Sequence, residues 1–172
     1  MYRSFRQVGE ATSTTAKAES VIEAIRKELD AVRRRAAPLR PTRVMFVVGR
    51  VPGSLDGLMV AGQASYLNEI IEIAGGQNVF KDASAAYPKV SLEEILARNP
   101  EVIIDMGEMA DTLGVTEAQK RNVTALWNRM ASIAAVRGRR VHAVASDIFV
   151  VPGPRVVLAA QEFFAILHPE AK

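Results

Sequence analysis

Residues 87 to 107 read YPKVSLEEILARNPEVIIDMG, and this order of signals admits few folds. Ser91 is a strong helix N-cap, and Glu94 follows it by three residues. That is capping-box spacing, in which the serine oxygen takes the N3 amide and the glutamate reaches back to the N-cap N–H. Glu93 is then left to point outward from the first turn. Leu92, Ile95 and Leu96 supply an apolar face. Asn99-Pro100 ends the helix, because a residue before proline avoids the α region. Val102, Ile103 and Ile104 form a β-branched run of the kind covered on both faces. Asp105, Met106 and Gly107 stand where that strand leaves its sheet.

The same alternation runs through the rest of the chain. Thr14 to Ala37 reads as a long helix whose stripe is Val21, Ile22, Ile25, Leu29 and Val32. Pro38 and Pro41 end it. Arg43 to Val48 is a strand, and residues 49–54, GRVPGS, form the loop at its carboxyl end. Ser65 to Ala74 is a helix stopped by Gly75-Gly76, and Asn78 to Phe80 is a short strand. After the central stretch come a loop over 108–115, a helix from Thr116 to Met130, a strand from Arg140 to Ala145, and a loop over 146–154. Ile148 to Val151 could instead continue the strand. Arg155 to His168 is the last helix. The pattern predicts an α/β fold, a three-layer sandwich with a mostly parallel sheet preceded by one long helix.

Several chemistries lack their residues. There is no cysteine in 172 residues, so disulfides, thiolate nucleophiles and zinc–sulfur sites are excluded. His142 and His168 are the two histidines, without ligand spacing, and both read as structural. No G-x-S-x-G elbow occurs, and 49–54 is not a phosphate loop. Asp56, Asp105, Glu108 and Asp147 fall on loops near strand ends, where an acid–base pair remains open on sequence grounds. The net charge is +3, with basic residues gathered in 27–43 and 137–140. No aromatic interleaving or nucleic-acid motif goes with them, so a solvated face is expected and no nucleic acid. The start of the chain has no apolar core of signal-peptide type.

What remains is a surface. In an open α/β sheet, ligands bind outside the carboxyl ends of the strands. Tyr87, Phe149, Val151 and the 50–55 loop are apolar or aromatic groups that could share that edge, with Arg50 and Arg155 beside them. Such a mix suits a large ligand that is partly apolar and partly anionic.

Four blocks, in this order, carry a resemblance. They are EAIRKELDAVRRR, SYLNEIIEIAGGQNVF, YPKVSLEEILARNPEVII, and VRGRRVHAV with PGPRVVLAAQEF. Together they resemble the C-terminal half of the periplasmic substrate-binding proteins of ABC importers for vitamin B12, ferric siderophores and haem. The resemblance runs from about Phe5 to His168. It implies that residues 1–40 are a connecting backbone helix and 41–172 the C-terminal α/β lobe. It also implies a binding module rather than an enzyme, in the periplasm or cell envelope. No intrinsic cofactor is implied; the transported ligand would be a corrinoid or ferric siderophore.

Residue by residue, Tyr87 matches the aromatic that meets ligand in the vitamin B12-binding member. Glu93 matches the glutamate that docks onto arginines of the permease. Asp147 and Phe149 match another ligand-facing segment, where the aromatic pattern differs. Arg155 matches a position at the lobe edge. Tyr87 and Phe149 are expected to stack on ligand, with Arg50, Ser54 and Asp147 as polar contacts. The family has two lobes, so a missing first lobe is implied. The stripe of the opening helix is then expected to be partly exposed and to favour a dimer. The alternative is a stand-alone interaction domain, or a flavodoxin-like signalling or enzyme domain.

Overall fold

The computed structural model describes residues 2–107, 115–145, 147–149 and 151–171. Two helices, α1 (Tyr2–Ala11) and α2 (Thr15–Ala36), open the chain as a hairpin. They touch closely at Gly9, where a Cβ would stand 2.7 Å from that of Ala18. The order then runs β1 (Thr42–Gly49), β2 (Met59–Val60), α3 (Tyr66–Ile73), β3 (Gly76–Asn78), α4 (Leu92–Arg98), β4 (Val102–Asp105), α5 (Glu117–Trp127), α6 (Ala134–Arg137), β5 (Val141–Ala143) and α7 (Val156–Leu167). A single 3-10 turn, Asp147–Phe149, precedes α7.

The sheet is centred on β1. It pairs in parallel with β4, which pairs in parallel with β5. On the other side of β1 lie β3, parallel, and β2, antiparallel. Successive residues of β1 face opposite sides, as strand geometry requires. Val44 and Phe46 enter the core shared with α2, α3 and α7, while Met45 and Val47 enter the core with Ile95, Val123 and Trp127. Val102 and Ile104 of β4 join the first core and Ile103 the second. This is the expected α/β sandwich, mixed and mostly parallel.

Three local expectations change. The stripe of α2 is buried, with Ile22, Ile25, Leu29 and Val32 all at or below 6% exposure. Helices α3 and α7 cover it, so the expected exposed stripe and the dimer built on it are not supported. The short third strand lies at 76–78 rather than 78–80, because Asn78 turns its side chain inward and the chain leaves the sheet there. Its Nδ2 donates to Ala61 O and to Asn68 Oδ1, each at 2.9 Å, and its Oδ1 accepts from Phe80 N–H at 3.0 Å. The stretch 147–149 is a turn rather than a strand continuation.

Candidate functional site

The carboxyl ends of β1 and β4 meet at a shallow apolar hollow of about 270 Å³, lined by Val48, Met59, Leu67, Tyr87, Met106 and Phe149. Tyr87 is the exposed aromatic of this group, at 43%. Its segment is laced to the β2 strand. Val60 N–H donates to Pro88 O, Val90 N–H to Leu58 O, and Gly62 N–H to Ala86 O, at 2.9–3.0 Å. Gly62 permits that approach, since a Cβ there would stand 2.2 Å from Ala85 O. Backbone pairing on an edge strand thus holds a loop aromatic in a fixed place over an apolar floor.

Phe149 reaches the hollow from the other side, but it is a core residue at 3% exposure. Its ring stacks on Phe163 with centroids 5.2 Å apart, and Phe46 closes the trio at 5.7 Å. A ring held on that side by Phe163 forms the floor of the hollow and offers no free face for ligand to stack on. Its backbone is held by Tyr66, whose hydroxyl donates to Phe149 O. Burial first, and the neighbouring Tyr87 second, push the Tyr66 hydroxyl up to about 12. The two tyrosines therefore stand close enough to feel each other. Sequence reasoning missed Tyr66, because its partner lies 83 residues away and no periodicity links them. Asp147 leads the same turn and forms a two-pronged ion pair with Arg155, at 3.0 and 2.6 Å.

Two expected polar contacts are turned to structural work. Arg50 is buried, and its Nε donates to Asp105 Oδ2 at 3.0 Å with neither side chain exposed. Its Nη1 donates to Ser54 O at 3.1 Å, tying down the loop after β1. Asp105 also accepts from Trp127 Nε1 at 2.7 Å and from Gly107 N–H at 2.7 Å. Trp127 is the core anchor with a partner that its indole requires. Arg50 thus fixes the loop after β1 to the end of β4, and the buried carboxylate there is compensated by the adjacent cation. Ser54 spends its hydroxyl within its own turn, donating to Asp56 Oδ2 at 2.6 Å and accepting from Asp56 N–H at 2.8 Å.

Glu93 stands exposed in the first turn of α4. Its own backbone N–H, and then the Ser91 hydroxyl, hold its carboxyl below the ordinary range, so it carries a charge at neutral pH. Only half of the capping box forms. Ser91 Oγ accepts from Glu94 N–H at 3.2 Å, but Glu94 reaches forward to Arg98 at 3.0 Å rather than back. Arg98 also takes Asp82, at 2.6 Å. Glutamate four residues before arginine gives a favourable helix pair, which competes with the reciprocal cap.

The loop carboxylates do not assemble an acid–base pair among the described residues. Asp105 faces Arg50, Asp147 faces Arg155, Asp56 closes its own turn, and Glu108 lies outside the described residues. No cluster of histidine and carboxylate able to hold a metal ion occurs among the described residues. The hollow offers an apolar floor and one exposed aromatic ring.

Residues 1–147 match the family described as Periplasmic binding protein. This chain belongs to the periplasmic binding protein family. A vitamin B12-binding protein of Yersinia pestis (strain Pestoides F) is 28% identical over 146 residues, which is 85% of this chain and 45% of the relative. The chain thus spans about half the length of the curated relatives it matches. A solved structure described as a possible iron-binding (periplasmic solute-binding) protein of Staphylococcus epidermidis ATCC 12228 superposes with a TM-score of 0.82 at 20% identity. It covers 97% of this chain and 61% of that one. The periplasmic heme-binding protein of Roseiflexus sp. RS-1 gives 0.76 at 23%, covering 99% and 63%. These two show the fold. The family consists of binding proteins rather than enzymes, and the flavodoxin-like alternative finds no support among them. Nearly whole coverage of this chain with partial coverage of its periplasmic binding protein relatives fits a C-terminal lobe.

Proposed function

We propose that this chain is the C-terminal lobe of a substrate-binding protein, residues 1–40, which form the α1–α2 hairpin rather than a single helix, serving as the connecting segment and residues 41–172 as the lobe. It would receive a corrinoid or ferric siderophore at the hollow under Tyr87 and deliver it to an ABC permease at the cell envelope. The observation that carries this reading is the exposed Tyr87 ring over an apolar floor at the strand ends, in a chain of this family. The named ligands of its relatives, vitamin B12 and heme, are large and mix apolar faces with charged groups. Glu93, exposed and charged on a separate helix start, suits docking to a basic permease surface.

Calorimetric titration with cyanocobalamin, haem and a panel of ferric siderophores tests the ligand class. Saturable binding weakened by Tyr87→Ala supports the reading. Binding that Tyr87→Ala leaves unchanged places the ligand elsewhere. Glu93→Arg, made in the two-lobed protein, should weaken transport and leave affinity near normal; undiminished transport removes the docking role.

A further inference from the structure

At the opposite end of the sheet, where β5 begins, the fold builds a second feature that the ligand edge does not use. Helix α6 closes in a Schellman motif: Arg139 N–H donates to Val136 O at 3.1 Å, and Arg140 N–H to Ala135 O at 2.7 Å. The C′ position of that motif needs left-handed backbone, and glycine is its usual occupant. Here Arg139 holds it, at φ 54°, while Gly138 beside it sits at φ −80°. A glycine lies one residue away, yet an exposed arginine stands at the strained position. Strain kept on an exposed turn points toward function.

Arg139 borders hollows on both sides of β5. On the α7 side, a hollow of about 400 Å³ is lined by Arg139, Arg140 and His142 against Ala165, Ile166 and Pro169. On the α5 side, Arg137 joins Arg139 around about 410 Å³. No carboxylate lines either hollow among the described residues. Arg140 is already fixed, because its Nη2 donates to Ile166 O at 3.0 Å and Leu167 O at 2.8 Å at the end of α7. A cation ordered before an anion arrives lowers the entropy lost on binding.

We propose that the α7-side hollow binds a phosphate-type oxyanion, held by Arg139 and Arg140 with His142 as a third donor. Guanidinium forks match tetrahedral oxyanions in geometry and remain charged at every relevant pH. The charged groups lining the hollow around His142 are Arg139 and Arg140; α7 adds only Ala165 and Ile166, and the segment after it Pro169. Burial, and then the Arg140 charge, hold its imidazole below the ordinary histidine value. An oxyanion in the hollow offsets that repulsion and draws a proton onto His142, so affinity rises as pH falls below about 6.5.

The test follows the His142 ring resonance by NMR in the 172-residue chain. Sulfate, whose charge is constant across the pH series, is the probe, and inorganic phosphate repeats the measurement at one pH. The expected result is a saturable shift that strengthens as pH falls. Arg139→Gly should weaken it by at least about tenfold, through loss of one charge-assisted fork. That variant should keep or raise Tm, since glycine relieves the left-handed strain. No saturable shift, or the same shift in Arg139→Gly, overturns the proposal. Co-sedimentation with phosphatidylglycerol vesicles then separates the sources. Vesicle binding lost in Arg139→Gly identifies a lipid headgroup, and a sulfate shift without vesicle binding identifies a free anion.

Discussion

Arg50 Nε lies 3.0 Å from Asp105 Oδ2, and neither side chain exposes any surface. The pair joins the loop after β1 to the end of β4, on the face of the sheet that carries Trp127. Removing one partner strands the other charge in the core, which typically costs about 3–5 kcal/mol. Asp105→Ala should lose stability on that scale in urea unfolding. The double variant Arg50→Met/Asp105→Leu should recover only the part due to the stranded charge, because the buried Trp127 Nε1 still loses its acceptor, at a cost of about 1–3 kcal/mol. A single variant that unfolds at the wild-type midpoint would show that the guanidinium finds solvent by another route.

Gly62 holds the Tyr87 segment in register. A Cβ at that position would stand 2.2 Å from Ala85 O and 2.9 Å from Pro88 Cδ, so the backbone itself must move. Gly62→Ala should destabilise by about 1–3 kcal/mol, the range for overfilling a close contact. It should also speed hydrogen exchange at the Val60 and Val90 amides, which bridge the two segments. Unchanged exchange at both amides would mean that the segment is held by other contacts.

Tyr66 is the residue that anchors the 147–149 turn to α3. Tyr66→Phe keeps the ring and deletes the hydroxyl that donates to Phe149 O. The expected loss is about 1 kcal/mol, the net value of one hydrogen bond. The Val151 amide, which donates to Asp147 O across the turn, should exchange faster. If Val151 exchange matches wild type, the packed Phe46, Phe149 and Phe163 rings hold the turn without help.

His142 makes stability depend on pH in a defined window. Burial, and then Arg140, hold its folded pKa below the ordinary value of about 6.5, while the unfolded chain keeps that value. The unfolded state therefore binds more protons once pH drops below about 6.5. The contribution is present above that pH and is lost as pH falls through the folded pKa. Stability should fall as pH drops below about 6.5, and His142→Gln should flatten part of that fall. The depressed carboxyls of Asp82 and Glu101 act in a lower range, below their ordinary values. An identical slope in the variant would assign the window to another group.

Part of the frame around the candidate hollow was legible in the sequence. Tyr87 was placed by its position ahead of a capped helix, and the strand ends by the β-branched runs at 44–48 and 102–104. Glu93 followed from helix-start spacing, although the reason changed when Glu94 chose Arg98 over the reciprocal cap. The roles of Arg50 and Ser54 were not legible. A loop arginine reads the same whether it faces solvent or a buried carboxylate 55 residues away.

While α1, β2 and α6 carried no signal strong enough to read, local chemistry by itself determined the alternation of the main helices and strands and the ends of helices at proline and glycine. These depend on neighbours within a few positions, where dihedral preference and periodicity act directly. Only the tertiary structure decided what each loop side chain does. It buried Arg50 against Asp105, put Phe149 into an aromatic trio, hid the α2 stripe under α3 and α7, and tied Tyr66 to a turn far along the chain. The physical reason is that burial and pairing are properties of chain closure. A side chain's charge or ring is written in the sequence, but its partner is chosen by the packing that excludes water around it.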